Sequence, residues 1–231
     1  MTTLLLNGCS FGECWTPTKN FIADLGCDNI INISKPATSF QRTCRSTVEW
    51  IAQNGDPHFV IVPITFSHRW ELAIGEHQDG LDGNWFPMQT KEHLFTTKQE
   101  IRNDIAKDKL EELIDLYYGC IPNSRNYWDK MFTEIIMLSA FLGNRKINYL
   151  FFDMCNEFGK IDNVKDQSNL GIDKIKLIES NKKIIDLFNF CGNRHMHDTM
   201  TAKENVHFNT HHAPEQYQEL EKYLLKYLKQ Q

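Results

Sequence analysis

The chain has 231 residues, 41% of them hydrophobic and 24% charged, and carries a net charge of −5. That is enough to bury a core as a single domain over 1–231. The acidic balance, with a pI near 6.0, lacks the basic footprint of a nucleic-acid binder, and no Lys/Arg run offers a face to anionic lipid.

No window reaches the ~20 apolar residues of a membrane helix. The first residues lack a basic start, although Leu5-Leu6-Asn7-Gly8-Cys9 faintly mimics a lipoprotein cleavage site. Seven cysteines (Cys9, Cys14, Cys27, Cys44, Cys120, Cys155, Cys191) are an odd number with no Cys-x-x-Cys pair, so reduced thiols and a cytoplasmic setting are expected. There is no internal repeat. The expected partner is a small molecule, and the oligomeric state is left open.

In chain order, the apolar run Leu4-Leu5-Leu6 stops at Asn7-Gly8-Cys9-Ser10-Phe11-Gly12. A buried strand entering a tight turn, with glycines on either side of a serine, predicts an exposed Ser10 hydroxyl at the carboxyl end of a first strand. In an open α/β sheet, ligands bind along that edge. Residues 19–25 read as a short helix and 28–33 as a second strand. Ser39 is a plausible N-cap for a helix whose apolar positions are Phe40, Cys44, Val48, Ile51 and Ala52, ended by Gly55. Residues 58–63, HFVIVP, form a strand of the type buried on both faces of a parallel sheet.

This doubly wound beginning breaks at Thr65, where an insertion over about 66–126 intervenes. Its Asp79-Gly80-Leu81-Asp82-Gly83-Asn84 run misses EF-hand spacing and reads as a surface turn. Thr97 and Glu100 make a capping box for a long amphipathic helix carrying Ile101, Ile105, Leu113 and Ile114. A second helix covers about 127–142, and 147–152 are the fourth strand, ending at Asp153. Residues 156–183 are polar and weakly patterned, as in a loop or lid with one helical turn. Residues 184–190 fit a helix or a fifth strand equally. Pro214 begins the last helix, with Tyr217, Leu220, Leu224 and Leu228 along one face.

Serine needs a base to act as a nucleophile. Asn209-Thr210-His211-His212 feeds directly into the last helix, and in a doubly wound fold such a loop overlies the carboxyl ends of the strands. His212 is the candidate base and Asn209 its orienting partner. The α/β-hydrolases share a Gly-x-Ser-x-Gly elbow but place several strands before it. Here one strand precedes Ser10, which excludes that fold. Cys191, His195, His197, Asp198, His207, His211 and His212 crowd potential metal ligands, but their spacing matches no zinc signature, so neither metal nor cofactor is expected.

With these residues in view, the chain resembles the SGNH, or GDSL-type, hydrolases. In that family the serine sits in a Gly-Asp-Ser turn after the first strand, and Asp-x-x-His precedes the last helix. Gly8-Cys9-Ser10-Phe11 is similar to the first block, with Cys9 for Asp, and Asn209-Thr210-His211-His212 to the last, with Asn209 for Asp. The family's oxyanion glycine corresponds to Ala37, whose amide survives the change. Its asparagine corresponds to Thr65, and losing such a donor lowers turnover by about 10²- to 10³-fold. Asn209 can orient an imidazole but not balance its charge, a change worth about 10⁴-fold in a serine protease. Asp198 and Asp153 are alternative acids.

The resemblance implies a flavodoxin-like three-layer α/β/α sandwich with a mostly parallel sheet and a helical insertion after the third strand. It also implies a serine esterase, deacylase or acyltransferase acting on an acylated carbohydrate or small alcohol. Arg69 and Glu71 are placed to hold a charged substrate group, and Trp15, Trp70 and Trp85 to stack on a sugar, against the plainer roles of ion pair and loop anchor. Gly-Cys-Ser-Phe openings resemble those of small bacteriophage proteins. Because two of the four blocks have lost their polar residues, a catalytically impaired scaffold serving as a binding or structural protein is the competing reading.

Overall fold

The computed structural model describes residues 1–36, 38–65, 67, 69–73, 85–88, 112, 115–116, 124–153, 172–186 and 214–230. Five strands make one all-parallel sheet: β1 (Thr3–Leu6), β2 (Asn29–Asn32), β3 (Phe59–Ile64), β6 (Asn148–Asp153) and β7 (Ile184–Asp186), in the order β2-β1-β3-β6-β7. A separate antiparallel pair joins β4 (Trp70–Ala73) to β5 (Trp85–Met88), with Trp70 opposite Met88 and Ala73 opposite Trp85. The described helices are α1 (Ser10–Cys14), α2 (Lys19–Asp24), α3 (Phe40–Asn54), α4 (Ser124–Asn144), α5 (Ile172–Ser180) and α6 (Pro214–Leu228).

Side chains alternate across the sheet with the period of two that a strand imposes. Leu4, Leu6, Phe59, Ile61, Leu150 and Phe152 face one layer with Phe11, Phe21, Tyr217, Leu220 and Leu224 of α1, α2 and α6. Leu5, Val60, Val62, Ile64, Tyr149 and Phe151 face the other with Phe40 and Ile51 of α3, Ile135 and Leu142 of α4 and Ile178 of α5. Helices therefore cover both faces, which is why β3 is apolar at every position and every residue of it is buried.

Pro63 belongs to this central strand without costing a ladder bond. Asn7 N donates to Ile61 O at 3.1 Å, so by alternation residue 63 faces the same side, where β1 has already turned away at Gly8.

The first three strands, the helices at 19–24 and 40–54, the fourth strand of the parallel sheet and the last helix fall where periodicity places them. Residues 184–186 resolve the open choice as a fifth parallel strand, on Phe151–Asp153. One expectation changes: residues 172–180, read as part of a loop or lid with one helical turn, are the nine-residue helix α5. The part of the insertion before Thr97, to which no element was assigned, contains the β4–β5 ladder. The expected helix beginning near Thr97, the 79–84 turn and residues 156–171 lie outside the described residues, apart from helical positions at 112, 115 and 116. Among the described residues no helix is long and apolar enough to cross a membrane.

Candidate functional site

The strand order reverses between β1 and β3, and the turn carrying Ser10 leaves β1 at that point, where doubly wound sheets open a crevice. Ser10 is the first residue of α1, with Cys9 as its N-cap, and is partly exposed. Its hydroxyl makes no hydrogen bond with a described residue. The backbone around it is tied down on several sides. Lys35 N donates to Gly8 O at 3.0 Å, Asn32 Nδ2 to Gly12 O at 2.8 Å, and Tyr217 Oη to Phe11 O at 3.1 Å.

Both flanking glycines are needed for close approach. A Cβ on Gly8 would sit 3.1 Å from Pro63 Cδ, and one on Gly12 would run into the Ser34 side chain.

Two thiols flank Ser10. Cys9 is buried, and Cys14 is pushed above the usual thiol range by burial and by the Glu13 carboxylate and Cys9 beside it. Cys14 thus stays protonated near neutrality.

Thr65 follows β3 and is fully buried, and its Oγ1 accepts from Arg69 Nη1 at 3.5 Å. Arg69 is itself buried, at 6% exposure. Glu71 is buried too, and both of its oxygens meet Arg45 of α3, each at 3.2 Å. That bidentate pair anchors β4 to α3, so the Glu71 carboxylate already has a cation. Trp15 is a core side chain at 2% exposure, stacked on Tyr217 at 6.1 Å and edged by Phe21 and Phe152. Its ring has packing partners where a sugar platform needs an open face. Asp153, a candidate substitute acid, is buried at the end of β6 opposite Ile64. Ala37, Asn209, His212, Asp198 and the other candidate metal ligands lie outside the described residues, as do the side chains of Trp70 and Trp85. Among the described residues no group of three or more His, Cys, Asp or Glu could hold a metal.

Two features escaped the sequence reading. The first is a clasp between the two ends of the chain. Glu221 of α6 accepts from Trp15 Nε1 at 3.1 Å and Thr18 N at 2.9 Å through Oε1, and from Thr18 Oγ1 at 2.5 Å through Oε2. The second is a buried polar face on α3. Its buried residues are Phe40, Arg42, Thr43, Ser46, Thr47 and Ile51, so the expected stripe is in the wrong phase, with Val48 and Ala52 exposed. The signal was Asn7 ending an otherwise apolar strand, which calls for donors and acceptors opposite it.

Fold and site together define an α/β protein with a parallel sheet, helices on both faces, and a glycine-flanked serine turn at the point where strand order reverses. The chain belongs to a family of unknown function, DUF6071, whose model matches residues 7–230. No curated protein and no solved structure matches it.

Proposed function

We propose that this chain is a serine hydrolase of the SGNH type on a flavodoxin-like scaffold, acting on an ester of a carbohydrate or small alcohol. Ser10 attacks the acyl carbonyl, and His212, oriented by Asn209, takes the hydroxyl proton and returns it to the departing alcohol. The amides of Ser10 and Ala37, with the Thr65 hydroxyl, receive the oxyanion. Water then releases the acyl group from Ser10, and a second alcohol in its place would give acyl transfer.

The observation that carries this reading is the bond from Tyr217 Oη to Phe11 O, 3.1 Å long. Phe11 follows Ser10, and Tyr217 lies five positions after His212 in the chain. The first turn of α6 is thereby held at the Ser10 turn. A chain spans at most ~3.6 Å per residue, so the two steps from Pro214 back to His212 cover at most about 7 Å. The strand order, which matches the flavodoxin-like 2-1-3-4-5 arrangement, adds support by putting Ser10 at the switch point.

A second reading, an impaired scaffold that binds without turning over, draws on Thr65, whose fully buried oxygen already accepts from Arg69. One experiment separates the two. The wild type should be labelled by a fluorophosphonate and should hydrolyse p-nitrophenyl acetate, with both lost in Ser10→Ala and turnover lost in His212→Ala. A wild type that does neither, or a Ser10→Ala protein labelled equally, leaves the binding reading in place.

A further inference from the structure

Arg42, in the first turn of α3, is 3% exposed. Its Nη1 donates to Asn7 Oδ1 at 2.9 Å and to Ile33 O at 2.7 Å. A terminal guanidinium nitrogen carries two hydrogens, so each acceptor takes one. The acceptors belong to different loops: Asn7 enters the Ser10 turn, and Ile33 follows β2 at the start of the return to α3.

Helix α3 also holds the other end of the Asn7 carboxamide. Asn7 Nδ2 meets Thr43 O at 2.9 Å, Ser46 Oγ at 2.9 Å and Thr47 Oγ1 at 2.8 Å. The helix thus grips one loop through an amide and both through a cation.

Keeping a permanent charge so deep is costly, and a buried ionic group is poor evidence for stability alone. A planar fork does fix the distance and angle between two acceptors, which a lysine ammonium does not. We propose that Arg42 is a positioning residue for the Ser10 site, locking the loops after β1 and β2 together so that the backbone amides of the turn stay aimed at one point. It acts through Asn7 and Ile33 without touching substrate. This rests on the hydrolase reading of Ser10.

The test compares Arg42→Lys with Thr47→Val, which removes one of the three acceptors on Asn7 Nδ2 but leaves in place both Arg42 bonds that tie the two loops together. Fluorophosphonate labelling and p-nitrophenyl acetate kinetics are measured per folded molecule, with urea unfolding run alongside. Arg42→Lys should lower kcat and labelling rate about 10- to 100-fold with KM changed less than about threefold, while Thr47→Val keeps both rates within about threefold. Arg42→Gln, whose shorter side chain cannot span both acceptors, takes its place should Arg42→Lys fail to fold, and the same loss is expected. Rates in the Arg42 variant within about threefold of wild type, or equal kcat losses in both variants, overturn the inference and leave the hydrolase reading standing. A wild type that neither labels nor turns over removes that reading and this inference with it.

Discussion

At Gly12 two tendencies of the alanine side chain oppose each other. Glycine inside a helix costs about 1 kcal/mol relative to alanine, so propensity favours Gly12→Ala. The added Cβ, however, would strike the Ser34 side chain, whose Oγ is buried without a hydrogen-bond partner among the described residues. Because the Ser34 Cβ as well as its Oγ stands in the way, steric conflict should win, giving a net loss of about 1–3 kcal/mol. In a Ser34→Gly background most of that loss should vanish. A double-mutant cycle by urea denaturation should return a coupling of about 0.5–3 kcal/mol, and additive losses would place the conflict elsewhere. The glycines could be read from the sequence because a serine between two of them suggests a tight turn. Ser34 could not, because contact across 22 positions leaves no trace in local pattern.

Elements with an unbroken apolar run or a repeated apolar spacing were legible, the four-residue β1 among them, and those without a clean pattern were not. Strand β3 is apolar throughout because both of its faces are covered, and α6 shows Tyr217, Leu220 and Leu224 at helical spacing, all buried. Helix α5 gives a confused signal because Leu177 is 58% exposed while Ile178 is buried. Strands β4 (WELA) and β5 (WFPM) are interrupted by a charge and by a proline, so neither gives a clean strand pattern. The packing of α3 on α4 was equally hidden, and it yields a pH prediction. Burial pushes the Glu134 carboxyl from 4.5 up to about 7; Lys130, with Nζ at 3.8 Å, opposes the rise, and the Glu71 carboxylate adds to it. The folded protein therefore holds this proton more tightly than the unfolded chain. The associated stability is fully present below about pH 4.5 and is lost as pH climbs through about 7. Allowing for partial exposure, that amounts to about 1–3 kcal/mol. Glu134→Gln should unfold at higher urea than wild type at pH 8 and at nearly the same urea at pH 4.5. An equal gain at both pH values would mean that burial of the charge is not its source.

Across the whole molecule, the last helix closes on the first loop through contacts 206 and 203 positions apart. Joining points so distant costs roughly 5 kcal/mol of chain entropy before any contact offsets it. Pairings of this range tend to form after the local ones, such as β1 with β2 and α2. The Glu221 clasp should therefore be absent from the folding transition state. Glu221→Ala removes three bonds to a buried carboxylate and strands the Trp15 and Thr18 donors, a loss of about 2–4 kcal/mol. Nearly all of it should appear as faster unfolding, with refolding changed less than about twofold. Stopped-flow kinetics in urea read both limbs. A refolding rate that falls with stability, giving a φ above about 0.5, would mean that the chain ends meet early. Because α6 also meets the Ser10 turn through Tyr217, the hydrolase proposed above should, in the same variant, label more slowly with fluorophosphonate while its sheet remains folded.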